Sequence, residues 1–307
     1  MSAKRPAGSR YERRDPVKRA VILGGTGFVG RHVSRAFTDA GWETVTVGRS
    51  AAADLRLDLV AAALDTVAGA FAGAEVVVNA AGSYWGLGEE QMRVSLVTLT
   101  ERVLAARPPR LVQLGTVLEY GPLPPGRCVT ENDPIDPVGG YGRTKYAATK
   151  AVLDSGVEAV VLRVTNSVGP GAHPSSLLGK VAYALLEAVR AGRPARLELA
   201  PLRAVRDYLD VRDLAEAVVA AAGAAPGVVN IGTGRAVPIR SLVNGLIEVS
   251  GVAAEIVERE PPATSQVSPG AIAEWLQVDP STARDVLGWT ARRDLEQALG
   301  DFWRSLN

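Results

Sequence analysis

Tyr141 and Lys145 are the residues of this sequence best suited to move a proton. They are four residues apart, so a helix would place both on one face. A lysine close to a phenol favours the phenolate and lowers a pKa that starts at about 10. The pair could therefore act as acid or base near neutral pH. Taken alone, the spacing is more typical of a stacked Tyr–Lys contact on a helix surface.

Three glycines near the N-terminus follow an apolar run and precede a helical pattern. Residues 20–23 read A-V-I-L, as in a buried parallel strand, and Gly24, Gly27 and Gly30 follow. Such a turn brings backbone N–H groups and the positive end of a helix dipole to a pyrophosphate. The G-x-x-G-x-x-G spacing predicts a dinucleotide site, although an ordinary tight turn would also use glycines.

The second predicted strand, 44–47, ends without the acidic residue that usually holds the ribose hydroxyls of NAD. Arg49 stands there instead, and a guanidinium can pair with a 2′-phosphate. We therefore expect NADP (NADPH) rather than NAD, with NAD possible if Arg49 is only a surface residue. After the next strand, 75–78, small residues from Asn79 to Gly82 would let a cofactor lie over the strand end, and the loop 83–86 would line the substrate pocket.

The remaining pattern alternates strands and helices. We predict helices over 87–107, from 141 onwards and over 174–192, strands over 110–116 and 228–231, extended pieces at 197–199 and 203–211, and a long loop over 122–140.

Composition excludes several classes of protein. The chain has 307 residues, is 47% hydrophobic and 22% charged, and carries a net charge of +1. No global field would draw it to nucleic acid or to a membrane, and we expect neither as a partner. One cysteine, Cys128, excludes an intramolecular disulfide, and with two histidines it cannot form a His/Cys zinc site. We expect no metal, a cytoplasmic location and a disordered basic tail over 1–19.

Together the motifs resemble the extended short-chain dehydrogenase/reductases, the relatives of NDP-sugar epimerases and dehydratases. Beside the glycine turn and the Tyr141/Lys145 pair, Thr116 stands four residues before Tyr120-Gly121. The similarity continues in L-R-V-T-N-S-V-G-P-G (162–171), with Val168 where tyrosine is usual. It extends through R-D-Y-L-D-V-R-D (206–213), N-I-G-T-G (230–234) and D-P-S-T-A-R-D-V-L-G-W (279–289).

This resemblance implies a doubly wound α/β fold of the Rossmann type with a smaller C-terminal substrate-binding lobe. The dinucleotide domain would cover 20–170 and the lobe mainly 171–307, with 228–234 returning to the main sheet. The resemblance also implies a homodimer, formed through the helices that begin near Leu87 and Tyr141. The implied catalytic residues are Thr116, Tyr141 and Lys145.

The resemblance assigns the binding residues as well. An arginine such as Arg206 can hold a diphosphate bidentately, although Asp207 or Asp210 could pair with it instead. Asp58 could accept a hydrogen bond from the adenine amino group, but by sequence alone it is a helix cap. The implied cofactor contacts are Gly24, Thr26, Gly27, Phe28, Val29, Arg49, Asp58, Leu59, Asn79, Ala80, Ala81, Tyr141 and Lys145, and the implied substrate contacts are Ser83, Trp85, Thr116, Asn166, His173 and Arg206.

Three reactions share this scaffold in the family. A 4,6-dehydratase is disfavoured because Val117 and Leu118 stand where dehydratase relatives carry an Asp-Glu pair. The segment 79–92 looks like the NDP-4-keto-6-deoxyhexose 4-ketoreductases of antibiotic deoxysugar pathways. We therefore expect NADPH-dependent reduction of such a ketosugar, with three alternatives: a 4-epimerase with tightly held NAD, reduction of a non-sugar ketone, and a redox-inert NADP-binding regulator.

Overall fold

The computed structural model describes residues 17–260 and 274–306. The predicted basic tail lies outside these ranges apart from its last three residues. The strands are β1 (Arg19–Leu23), β2 (Glu43–Gly48), β3 (Leu55–Arg56), β4 (Val76–Asn79), β5 (Leu111–Thr116), β6 (Ala159–Val164), β7 (Asn166–Val168), β8 (Ala195–Leu199), β9 (Val205–Asp210), β10 (Gly227–Ile231), β11 (Ala236–Pro238), β12 (Ala254–Glu258) and β13 (Trp275–Leu276). The α-helices are α1 (Phe28–Asp39), α2 (Leu64–Gly69), α3 (Glu89–Arg93), α4 (Leu99–Ala105), α5 (Gly139–Asp154), α6 (Leu177–Ala191), α7 (Val211–Ala221), α8 (Ile239–Ser250), α9 (Ser281–Leu287) and α10 (Leu295–Arg304).

A seven-stranded parallel sheet forms the main body, in the order β10-β6-β5-β4-β1-β2-β3. The chain runs outward from β1 through β2 to β3 on one side, and then from β4 towards β10 on the other. The strand order therefore reverses between β1 and β4, where open α/β sheets bind their ligands. This sheet confirms the predicted doubly wound fold.

The apolar run of β1 is continuous because helices cover both faces of the sheet. Ala20 and Ile22 pack with Val33 and Phe37 of α1 in one buried cluster. Val21 and Leu23 point the other way and pack with residues of α2, α4 and α5 in a second cluster. Strands buried on both faces need an apolar residue at every position. This is why a continuous apolar run in the sequence predicts such a strand.

The helix predicted over 87–107 is broken in the middle. It runs as α3, a π-helical turn over Val94–Thr98, and α4. The Thr100 hydroxyl donates to the carbonyl of Leu96, four residues earlier, and the Ser95 hydroxyl accepts from the Ser83 N–H at 2.9 Å. The widened turn therefore anchors the loop that the sequence placed at the ligand edge. Turns of this kind are common at functional sites.

The C-terminal lobe combines α6, α8 and α10 with two small sheets. One sheet has the order β11-β9-β13, with β7 also paired to β9, and the other pairs β8 with β12. Apart from β13, whose Leu276 packs in a smaller cluster with Val129 and Val278, these elements share a separate apolar core. β10 belongs instead to the main sheet, beside β6, so the chain crosses between the two parts more than once.

At the start of α1, the backbone of the helix lies directly against the backbone of the turn after β1, and that turn lies against the backbone after β4. A Cβ on Gly30 would lie 2.1 Å from the carbonyl oxygen of Gly24, and one on Gly24 would lie 2.7 Å from the Cα of Ala81. Gly24 also has a φ of 75°, in the left-handed region. Glycine at these two positions lets the helix N-terminus approach the ends of β1 and β4.

We expect Gly30→Ala to lower the free energy of unfolding by about 3 kcal/mol, because the added methyl group overlaps a backbone carbonyl that cannot move aside. Gly69→Ala is the matched control, since Gly69 lies in α2 with nothing within 4 Å of its would-be Cβ. That substitution should stabilise the protein by about 0.5–1 kcal/mol. Urea unfolding followed by circular dichroism measures both, and equal effects would contradict the packing argument.

Candidate active site

A cavity of about 620 Å³ opens at the carboxyl ends of β1, β4, β5 and β6. Its other walls come from the loop after β4, the first residues of α5 and α6, and β9 of the C-terminal lobe. Of the residues predicted to act at the site, it is lined by Gly27, Phe28, Val29, Ala80, Ala81, Ser83, Trp85, Thr116, Tyr141, Lys145, Asn166, His173 and Arg206. Residues more than a hundred positions apart in sequence therefore share one space.

The cavity is cationic. Lys145 and Arg206 are among its lining residues, whereas no Asp or Glu of the described chain lines it. Burial lowers the pKa of Arg206, and the neighbouring Tyr208 and Tyr84 oppose that effect; a guanidinium stays charged in either case. The field inside this space favours an anionic ligand and offers no carboxylate to take up a proton.

Thr116 ends β5 and begins a 3-10 turn over Val117–Glu119. Its side-chain oxygen caps that turn at the Leu118 N–H, and its own N–H donates to the Glu119 carboxylate at 2.9 Å. The side chain is buried but reaches the cavity. The Thr116 hydroxyl is thus held at the floor of the site by its own turn.

Tyr141 lies in the first turn of α5, opposite Thr116. Burial raises the pKa of its phenol well above the ordinary value, Tyr84 and Glu119 raise it further, and a hydrogen bond with the Thr116 side chain acts against them. The phenol is therefore protonated at neutral pH. This arrangement is ready to donate a proton to an oxygen that binds between the two hydroxyl groups.

Lys145 follows one turn later and is almost fully buried. Its ammonium group donates to the carbonyl oxygen of Leu114 in β5. Burial lowers the pKa of Lys145 to about 8, and the Glu119 carboxylate acts in the opposite direction. The expectation that Lys145 lowers the Tyr141 pKa is wrong for this structure, because desolvation dominates at the phenol and the ammonium group is turned towards the strand.

Aromatic rings extend from Tyr141 across the cavity. The Tyr84 ring packs on the Tyr141 ring with centroids 4.2 Å apart and on the Trp85 ring at 4.3 Å. Trp85 in turn stacks on His173 at 5.1 Å, with an interplanar angle of 5°. The His173 Nδ1 accepts from the Ser175 N–H, which leaves its outer nitrogen as the donor. These rings form an apolar wall beside the Tyr141 phenol.

The glycine turn fits a dinucleotide. Gly27 is the N-cap of α1, and the first turn of that helix contains no acidic residue. The first N–H groups of a helix have no partner within it, and here Phe28 and Val29 bring them to the cavity wall. Thr26 lies in the same turn. A Cβ on Gly24 or Gly30 would overlap the backbone against which this turn packs.

Beyond the glycine turn, four predicted cofactor residues do not line the cavity: Arg49, Asp58, Leu59 and Asn79. Arg49 is exposed directly after β2, and the loop behind it is tied to that strand by Asp54, which accepts from the Thr46 N–H and hydroxyl at 2.9 and 2.7 Å. Asp58 is exposed and caps the N–H groups of Val60 and Ala61, whereas the Leu59 side chain is buried in the core.

Asn79 supports the site from beneath. Its side-chain amide donates to Gln113 at 2.9 Å and to Thr100 at 3.3 Å, and its oxygen accepts from the Ala81 N–H at 3.2 Å. The side chain is only 2% exposed. It therefore shapes the Ala80–Ala81 backbone, while its predicted contact with a cofactor remains a prediction.

Asn166 and Arg206 lie on the paired strands β7 and β9, where Asn166 is in register with Tyr208. The Asn166 amide donates to the Asp207 carbonyl at 3.3 Å. The two carboxylates that could pair with Arg206 have other partners: Asp207 accepts from Thr233 and Gly234, and Asp210 binds Arg212. Arg206 and Asn166 both line the cavity, so the geometry allows both to contact a ligand.

Sequence reasoning missed several residues of the site. Tyr84 lay inside a loop that the sequence identified, but it was not singled out. Tyr208 follows Arg206 by two positions on β9, and the period of a strand places both on one face, which is a signal that could have found it. Thr165 is buried at the cavity wall, and its hydroxyl has no hydrogen-bond partner in the described part of the chain. Nothing in the sequence distinguishes Thr165.

Comparison with known proteins agrees with this geometry. Residues 20–232 match the NAD dependent epimerase/dehydratase family. The chain belongs to that family. A curated relative, the dTDP-6-deoxy-L-talose 4-dehydrogenase (NAD(P)(+)) of Kitasatospora kifunensis, is 43% identical over 309 residues, which cover 93% of this chain and 94% of the relative.

Two more distant proteins are also similar over more than nine-tenths of the chain. The UDP-glucose 4-epimerase of Azospirillum brasilense is 29% identical over 335 residues, covering 92% of this chain and 94% of that protein. The solved UDP-glucose 4-epimerase of Thermus thermophilus, in complex with NAD, superposes with a TM-score of 0.79 at 23% identity over 94% of this chain and 98% of its own. That likeness shows the shared fold.

Membrane-spanning helices and metal sites are both absent from the described ranges. No helix there combines the length and apolar character needed to cross a membrane. No group of three or more His, Cys, Asp and Glu side chains in residues 17–260 and 274–306 is arranged to hold a metal ion.

We expect Tyr141 to remain protonated above about pH 10, where free tyrosine is half ionised, because burial disfavours the phenolate. Ultraviolet difference absorbance of wild type against Tyr141→Phe should show no ionisation of Tyr141 up to that pH. Tyr183→Phe removes an exposed phenol and calibrates the signal of one tyrosine. Ionisation of Tyr141 near neutral pH would contradict the assignment.

Proposed function

We propose that this protein reduces the C4 ketone of an NDP-4-keto-6-deoxyhexose, in the first instance a dTDP-linked one, with NADPH as the hydride donor. The observation that carries the proposal is the protonated, desolvated Tyr141 held against Thr116 in a cationic cavity. Reduction of a ketone needs a proton donor at the carbonyl oxygen, and oxidation of an alcohol needs the phenolate. The protonated phenol is the reactant state for reduction.

The named activity of the relative concerns the same bond. A 4-dehydrogenase removes hydride and a proton from the C4 alcohol of dTDP-6-deoxy-L-talose. By microscopic reversibility the same site returns hydride and proton to the 4-ketone. The 43% identity over nearly the whole chain therefore supports chemistry at C4 of a 6-deoxyhexose, whichever direction the cell uses.

The cofactor would lie along the glycine turn, with its diphosphate at the N-terminus of α1 and its adenosine end towards Arg49, Asp58 and Leu59. When bound, NADPH supplies the hydride. Thr116 and Tyr141 hold the C4 oxygen between their hydroxyl groups, and Tyr141 gives its proton to that oxygen as negative charge develops there. Lys145, protonated below its pKa of about 8, contributes positive charge to the cavity lining from its place against β5.

The substrate would span the cavity from Tyr141 to Arg206. Arg206 offers the planar fork that binds a diphosphate bidentately, and Asn166 lies beside it. The ring of Tyr84 packs on the phenol, and Trp85 continues this aromatic wall, so the apolar face of a deoxygenated hexose would pack against the two rings. Ser83 and His173 are placed to contact the sugar at the edge of this wall.

A dehydratase is poorly supported. Val117 and Leu118 line the cavity directly after Thr116, and neither can move a proton. Glu119 is the next carboxylate, but its oxygens bind Thr116, Thr149 and Arg163, away from the cavity. Elimination of water from a sugar needs an extra acid and base, and the lining supplies no carboxylate for either role.

A 4-epimerase is the second candidate, supported by the 29% identical UDP-glucose 4-epimerase. It would retain NAD and interconvert C4 epimers without net consumption of a nicotinamide.

A pair of parallel reactions distinguishes the ketoreductase from the epimerase. Purified protein is mixed with dTDP-4-keto-6-deoxyglucose and NADPH, with NADH in parallel, and in a second reaction with UDP-glucose and no added cofactor. Stoichiometric loss of NADPH supports the reductase; formation of UDP-galactose supports the epimerase.

Tyr141→Phe should slow ketone reduction by about 10²–10⁴-fold, because the general acid is removed while the ring packing on Tyr84 is kept. Steady-state NADPH consumption measures the loss, and circular dichroism checks the fold. Tyr183→Phe, on the exposed face of α6, is the control and should retain the wild-type rate. Near-normal turnover of Tyr141→Phe would refute the assigned proton donor.

Arg49→Gln should weaken NADPH binding by about tenfold while leaving NADH binding unchanged, since only the 2′-phosphate needs the guanidinium. Calorimetric titration with each nucleotide gives the two dissociation constants. Arg35→Gln provides the control, because Arg35 is an exposed arginine of α1 already paired with Asp39. Equal losses for both nucleotides would show that Arg49 does not select the phosphate.

A further inference from the structure

Glu119 is a fully buried carboxylate that the proposed chemistry does not use. One oxygen accepts from the Thr116 N–H at 2.9 Å and from the Thr149 hydroxyl at 3.0 Å. The other oxygen binds the Arg163 guanidinium at 3.0 Å. A single side chain therefore joins the end of β5, helix α5 and strand β6, which are the elements that carry and support Thr116, Tyr141 and Lys145.

The contact with α5 is placed to set the position of Lys145. Thr149 follows Lys145 by four residues, so both lie on one face of the helix. That face makes two polar contacts with β5 and the turn that follows it. The Thr149 hydroxyl donates to Glu119 in the turn, and the Lys145 ammonium group donates to the Leu114 carbonyl in β5. Gly115, between Leu114 and Thr116, leaves room for the carboxylate, since a Cβ there would lie 2.8 Å from Glu119 Oε1.

Two buried cations, Arg163 and Lys145, lie in the field of the single Glu119 carboxylate. Arg163 is 4% exposed and also donates to the Tyr120 hydroxyl, which donates in turn to Asn230. Lys145 is a second buried cation in the field of the same carboxylate. Burial favours the neutral amine of Lys145, and the negative charge of Glu119 is the influence that opposes burial.

We propose that Glu119 is a positioning residue of the active site, whose buried carboxylate holds Thr116 and helix α5 in register and keeps Lys145 protonated at the pH where the enzyme works. The proposal rests on the proposed roles of Thr116, Tyr141 and Lys145 but not on the identity of the sugar. A purely structural ion pair would also hold the elements together. It would leave the protonation of Lys145 unchanged.

The test follows Lys145 directly. The chain contains five lysines, so its ε-methylene carbon can be observed by NMR in protein labelled with ¹³C-lysine and assigned with Lys145→Arg. The wild-type titration should have its midpoint at about pH 8. Glu119→Gln should move this midpoint downwards by about one pH unit, the lower end of the range for loss of a nearby opposite charge. The fall of ketone reduction at high pH should move by the same amount.

Two further variants keep the test decisive. Glu119→Gln leaves Arg163 as an unpaired buried cation and could fail to fold, whereas Glu119→Leu with Arg163→Met replaces the whole pair by apolar side chains of similar size. The double variant should show the same downward shift. Glu131→Gln is the matched control: Glu131 accepts from Asn230 and Thr282 at the far end of the network and should lower stability without moving the midpoint.

An unchanged Lys145 midpoint in the folded Glu119 variants would overturn the proposal, as would an equal shift in Glu131→Gln. Because the NMR titration needs no substrate, its failure is distinguishable from failure of the proposed function. A shifted midpoint in a protein that reduces no ketosugar would support the role of Glu119 and count against the reaction assigned above.

Discussion

Parallel pairing of all seven strands in the main sheet is the constraint on which the site depends. Because the strands run in one direction, the residues that follow β1, β4 and β5 meet at the same edge. The glycine turn, Ala80–Ala81 and Thr116 are therefore neighbours without any direct sequence relation. Gly24 and Gly30 allow this close packing. A side chain at Gly30 would overlap the Gly24 carbonyl, and a side chain at Gly24 would overlap the backbone of Ala81.

Desolvation is the largest influence on the pKa values of the titratable side chains at that edge. It acts in opposite directions on the two titratable groups of α5, raising the pKa of Tyr141 and lowering that of Lys145. Both shifts favour the neutral side chain, because a low-dielectric cavity penalises either charge. Glu119 raises both pKa values, so it reinforces burial at the phenol and opposes it at the amine. The result is a neutral phenol in a cavity that the Lys145 cation also lines, which suits proton donation to an oxygen that becomes negative.

The sequence predicted the fold from general patterns and the site from motifs. Continuous apolar runs identified the central strands because both faces of the sheet are covered, and the glycine spacing located the turn before α1. Tyr141, Lys145 and Thr116 were predicted because family motifs mark them, and the structure brings all three to one cavity. Glu119 and Tyr84 could not be found in this way: their roles depend on which elements pack beside them, and neither spacing nor residue type records that contact. The π-helical turn before α4 is equally a product of packing, through Ser95 and the loop that it holds.

The direction of the Lys145 effect shows the limit of reasoning from residue pairs. A lysine one turn from a tyrosine lowers the phenol pKa only if its ammonium group faces the phenol in the folded chain. Here the ammonium group is bound by the Leu114 carbonyl, and the phenol lies among rings and hydroxyl groups. The four-residue spacing predicts that both side chains share one helix face. The position of the Lys145 ammonium group depends instead on its partner in β5, the Leu114 carbonyl. Among the described residues, the cavity is therefore lined by two cationic side chains and by several hydroxyl groups, Tyr141 and Thr116 among them, and by no carboxylate, which favours an anionic ligand.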